Sequence, residues 1–70
     1  MQHGRILRVT PWNGAPYATY VVAEEDVARA EAILRTQVGP KARIEPIGRA
    51  SMKLLLSLEL SAGEFKKTAP

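Results

Sequence analysis

The chain has 70 residues and no cysteine, so it is read as one small domain that can form neither disulfides nor thiolate metal sites. Apolar residues make up 46% and charged residues 24%, a globular balance that argues against intrinsic disorder. Ten Lys/Arg against seven Asp/Glu leave a net charge of +3, which permits contact with an anion, but the basic residues are scattered and only Lys66 and Lys67 adjoin.

A domain this small buries only about 60% of the surface its unfolded chain exposes, so its stability must come from a compact core or from self-association. No apolar run approaches the roughly 18 residues that span a bilayer. The segment Met1-Gln2-His3-Gly4-Arg5 leads into no apolar signal region. The chain therefore reads as cytoplasmic, with no membrane contact.

In chain order, residues 5–10 and 17–22 are rich in β-branched and aromatic residues and read as two strands. Between them lies Pro11-Trp12-Asn13-Gly14-Ala15-Pro16. Asn-Gly favours a type I′ hairpin turn, which needs φ > 0 at both central residues, and prolines bound a loop because they cannot donate to a ladder. A hairpin centred on Asn13-Gly14 pairs Leu7 with Tyr20, Val9 with Ala18, Ile6 with Val21 and Arg8 with Thr19. Leu7, Val9, Ala18, Tyr20 and Val22 then share the core face. Ile6, Arg8, Thr10, Tyr17, Thr19 and Val21 share a mixed face, to be partly covered or used as a contact surface.

Glu24-Glu25-Asp26 opens a helix running to Val38, with acidic residues at the positive end of its dipole and Arg35 near the negative end. Val27, Ala30, Leu34 and Val38 form its apolar stripe, expected to cover Leu7, Val9, Tyr20 and Val22. Gly39-Pro40 stops it. Residues 42–47 read as a third strand, which Pro46 either restricts to a sheet edge or ends at that point. The stretch from Ser51 to Leu60 alternates like a strand, yet it lacks β-branched and aromatic residues and Ser51 suits an N-cap. The composition favours a short helix over 52–58, with a fourth strand as the alternative. Ser61-Ala62-Gly63-Glu64 fits a capping box that could open a further turn.

The expected fold is α+β: a small ββαβ sheet with one long helix packed on it, followed by a short C-terminal helix or a fourth strand. Residues 1–70 form a single domain, with 1–4 and 66–70 read as flexible tails.

Nucleophilic catalysis needs a nucleophile beside an oriented base. The single histidine, His3, lies near the N-terminus, and Ser51, Ser57 and Ser61 are better explained as a cap, a surface residue and a turn. The acidic cluster at 24–26 is explained by the helix dipole. No glycine-rich phosphate loop and no metal-ligand spacing occurs. The expectation is a non-enzyme without cofactor or metal.

Binding is the remaining class. Tryptophan beside a proline-bracketed turn either packs over the sheet on Tyr17 or Ile6, or serves as a contact anchor with Arg8 and Tyr17. The candidate partner contact is accordingly Trp12, Arg8 and Tyr17. The leading expectation is a small binding or regulatory module that meets a protein partner or a second copy of itself, the leucines of 51–60 being another candidate surface. The alternative is weak nucleic-acid binding through Arg8, Arg43, Arg49 and the lysines at 66–67, although no specific RNA- or DNA-binding motif is present.

Overall fold

A computed structural model describes residues 3–69. It is an α+β fold with one four-stranded antiparallel sheet and two helices, in the order β1 (Gly4–Thr10), β2 (Ala18–Val22), α1 (Val27–Val38), β3 (Arg43–Ala50), α2 (Met52–Ser57) and β4 (Phe65–Ala69). The strands lie in the order β3-β1-β2-β4, so the central hairpin is flanked by strands from later in the chain. No helix among the described residues is long and apolar enough to cross a membrane.

The hairpin register is the one centred on Asn13-Gly14: Leu7 faces Tyr20, Arg8 faces Thr19 and Val9 faces Ala18. The turn is not type I′. Only Gly14 has positive φ (83°), and the chain leaves the ladder at Thr10 and rejoins it at Ala18. The register itself gives the reason. Continued one pair further past Thr10, it would set Pro11 against Pro16, and neither has an N–H to donate. The loop opens instead, with the Ala15 N–H bonded to Asn13 Oδ1 at 3.1 Å.

The α1 helix starts later than its acidic run. Asp26 is the N-cap and accepts from the Arg29 N–H at 3.0 Å, so Glu24 and Glu25 stand ahead of the first turn. Helix α1 covers one sheet face. Leu7, Val9, Val22, Ala30, Leu34 and Ala42 form the buried cluster there, with Tyr20, Ile33, Val38, Ile44 and Phe65 packed around it. Burying a Leu or Val side chain contributes about 1.5–3 kcal/mol, so this cluster is the main source of stability.

Strand β3 sits at a sheet edge, as Pro46 requires, but it runs on through Gly48 to Ala50. A register shift at Ile6/Leu7 leaves Ile47 as the extra residue of a bulge. Helix α2 then packs on the opposite face from α1. Its N-cap Ser51 accepts from the Leu54 N–H at 3.1 Å, and this cap prevails over the strand-like alternation of the leucines. Val21, Ala23, Ala50 and Leu55 are buried there, with Ile6, Leu54, Leu58 and Leu60 against them. Gly4 fits beneath α2 because a Cβ at that position would lie 2.2 Å from the Val22 carbonyl oxygen and 3.0 Å from a Leu55 methyl.

Ser61 to Glu64 form a turn rather than a helix, closed by the Ser61 N–H donating to Glu64 Oε1 at 2.7 Å. That turn delivers β4 to the free side of β2. The tail reading is thereby corrected: residues 66–69 pair as β4, and Gly4 begins β1. Their partners are far away in sequence, and local composition does not reveal them. Residues 1, 2 and 70, also read as tail, lie outside the described residues.

Candidate functional site: the cleft under the tryptophan loop

The opened β1–β2 loop hangs over the α1 face of the sheet, at the end where α1 terminates. Beneath it is a cleft of about 410 Å³ whose lining includes Val9, Trp12, Ala18, Tyr20, Val38 and Lys67. Its floor is apolar sheet and helix end, and Pro11 and Pro16 stiffen the loop that walls it. Trp12 is 71% exposed, the highest value among the large apolar side chains of the described residues.

Two local devices hold this geometry. The first is the α1 terminus. Gly39 has φ 89°, and its N–H donates to the Arg35 carbonyl at 3.0 Å. Arg35 turns back over the helix end. Its guanidinium donates to the carbonyl oxygens of Gly39, Pro40 and Ala42 and is paired with Glu31 Oε2 at 3.2 Å. Carbonyls of the loop that follows the helix are thus bonded by a cation, whose charge the helix dipole favours at this end. The fixed loop carries Lys41, whose Nζ lies 5.2 Å from the Trp12 ring centroid. A cation over an exposed indole contributes about 0.5–1 kcal/mol, so Lys41 restrains the ring without burying it.

The second device is β4. Lys67 pairs with Tyr20 in the ladder, which sets it on the α1 face at the side of the cleft. Two pairs further down the ladder, the Tyr20 ring meets Phe65 edge-on with centroids 6.0 Å apart, fixing the tyrosine wall.

The three residues singled out from the sequence divide between two faces. Arg8 and Tyr17 come together on the face away from α1, with the Arg8 guanidinium 5.3 Å from the Tyr17 ring. Arg8 also pairs with Glu45 at 3.6 Å, and Arg43 reaches the same carboxylate at 3.7 Å. Trp12 stands apart from them, on the cleft side. Strand alternation would have placed Trp12 with Arg8, but alternation ends at Thr10, where the prolines break the ladder. The cation over the Trp12 ring is Lys41, whereas Ile6 packs with the cluster under α2. The open part of the mixed face holds the Arg8–Tyr17 pair, and α2 covers the part near Ile6 and Val21.

Of the residues at the cleft, Lys41 has no role in the sequence reading, Lys67 enters it only with Lys66 as a basic pair near the C-terminus, and Tyr20 only as core. Tyr20 was legible as an inward-facing strand residue. Lys67 becomes visible only once β4 is paired, and Lys41 only once Arg35 fixes its loop.

Among the described residues no three His, Asp or Glu side chains gather where they could hold a metal ion. His3 Nδ1 lies 3.8 Å from Glu25, at the opposite end of the sheet from the cleft. Comparison with protein families, with curated proteins and with solved structures finds no significant match.

Proposed function

We propose that the chain is a small non-catalytic binding module that holds a protein partner in the cleft under the Trp12 loop. The observation that carries this reading is a 71%-exposed tryptophan, restrained by Lys41, at the rim of an apolar cleft. A rigid exposed aromatic beside an apolar recess is the usual form of an interface anchor, since it buries a large area on contact with little loss of side-chain entropy. The groups that could do chemistry are otherwise engaged. The Ser51 and Ser57 hydroxyls bond to the backbone of Leu54, and His3 is far from the cleft.

The basic residues that suggested nucleic acid give that reading less support. Arg8 and Arg43 share Glu45 on the other face. Arg49 stands across from Arg5 at the far end of the sheet. Together they trace no continuous stripe along which a phosphate backbone could run.

The test is selection of a random peptide display library on the folded chain and on Trp12→Ala, with retention of fold checked by circular dichroism. Peptides enriched on the wild type and lost on Trp12→Ala are expected. Enrichment unchanged by Trp12→Ala, or no enrichment at all, would overturn the reading.

A further inference from the structure

We infer that the segment seated in the cleft is acidic and presents one large apolar side chain among its carboxylates. This rests on the binding reading above and adds the chemistry of the occupant. Three observations carry it.

The cleft is lined by one charged residue, Lys67, and by no carboxylate. At its rim Lys41 adds a second ammonium, held by the Trp12 ring. Among the described residues neither lysine has an acidic partner within ion-pair distance, whereas both glutamates nearest this end are taken: Glu31 by Arg35, and Glu45 by Arg8 and Arg43. Among the described residues the charge at the cleft mouth is therefore positive, with no carboxylate paired to either lysine.

The distribution of charge over the whole molecule points the same way. The strands and α1 all end or begin at two levels. At the level of the cleft lie Arg8, Arg35, Lys41, Arg43 and Lys67 against Glu31 and Glu45. At the other level lie Arg5, Arg29, Arg49, Lys53 and Lys66 against Glu24, Glu25, Asp26, Glu59 and Glu64. Divided at the rung between Val21–Lys66 and Tyr20–Lys67, the formal side-chain charges sum to zero on the far side and to +3 on the cleft side, of which Arg8, Arg43 and Glu45 contribute +1 on the face away from the cleft. Such an asymmetry steers an anionic partner toward the cleft during diffusion.

The third observation is the apolar floor of Val9, Ala18 and Val38 between the aromatic walls Trp12 and Tyr20. A purely anionic ligand leaves that floor wet, and a purely apolar one leaves both ammonium groups unused. A peptide of acidic residues around a phenylalanine or leucine satisfies both.

The probe is Trp12 itself, the single tryptophan of the chain, read by fluorescence on the 70-residue chain. Four short capped peptides are titrated at low salt: Asp-Asp-Phe-Asp-Asp, its Ser-Ser-Phe-Ser-Ser and Lys-Lys-Phe-Lys-Lys counterparts, and Asp-Asp-Ala-Asp-Asp. A thymidine oligonucleotide of equal charge is the fifth probe. The acidic phenylalanine peptide is expected to bind tightest. Lys67→Gln and Lys41→Gln should each weaken it by about two- to fivefold, the range for one exposed ion pair. Lys67→Glu should shift preference toward the lysine peptide. Raising the salt should weaken binding further.

Equal binding of the serine and aspartate peptides overturns the acidic occupant while leaving the binding module standing. Tighter binding by the oligonucleotide, lost in the same lysine variants, replaces it with a nucleic-acid ligand. Equal binding of the alanine peptide removes the apolar anchor. If no probe changes the Trp12 emission, the acidic segment is overturned. The library selection then decides on its own whether the cleft binds a peptide of other chemistry.

Discussion

The two ends of the sheet are built to different rules. At the Gly4 end both faces are covered: the α1 cluster lies on one side and the leucines of α2 on the other. There the glycine is needed because backbone and methyl groups approach too closely for a side chain. At the Thr10 end α2 is absent, the ladder stops at two prolines, and the most exposed large apolar residue of the described chain stands over a cleft. Cores are packed to near-crystalline density, so an end left open in a chain this small is apolar surface withheld from folding. The contrast separates residues that hold the protein together from residues that are available to meet something else.

Substitutions can break or sharpen that contrast. Leu34→Ala removes a fully buried side chain between α1 and the sheet and should cost about 2–5 kcal/mol in chemical denaturation, enough to unfold much of a marginal domain at ambient temperature. Gly4→Val forces a side chain against the Val22 carbonyl and Leu55. It should cost about 1–3 kcal/mol, seen as a lower denaturation midpoint with an unchanged slope. Ser51→Ala removes the α2 cap and should cost about 1 kcal/mol, with faster amide exchange confined to α2 and the strand ends it covers. Trp12→Ala should move stability by no more than about 0.5 kcal/mol while removing peptide capture. A Trp12→Ala loss as large as that of Leu34→Ala would show that the open end is core after all.

Much of the fold was legible because it is encoded locally. Asn13-Gly14 set the hairpin register correctly even though the turn takes another form, since the flanking strands align about the same midpoint. Ser51 announced α2 in a stretch whose leucines alternate like a strand. Gly39 announced the end of α1. What stayed hidden depends on distant partners. Lys66 to Ala69 carry no strong strand signal of their own and become a strand through the open edge of β2. The candidate contact residues were half legible. Trp12 stood out by residue type and position, but its grouping with Arg8 and Tyr17 assumed that strand alternation persists through the loop. The prolines cancel that assumption and turn Trp12 to the opposite face. Lys67 could be found only after β4 was placed.

The strand order β3-β1-β2-β4 also has a consequence for how the protein is made. Synthesis delivers the central hairpin first and its flanking strands later, β4 last of the described elements. Until residues 65–69 leave the ribosome, β2 offers a bare row of hydrogen-bonding groups, and incomplete sheets of this kind are prone to pair with neighbouring chains. Lys67 lies at the middle of that strand, so the nascent hairpin would lack an ammonium group of the cleft until the sheet has closed. Ligand capture would thus be delayed until the vulnerable edge is sealed.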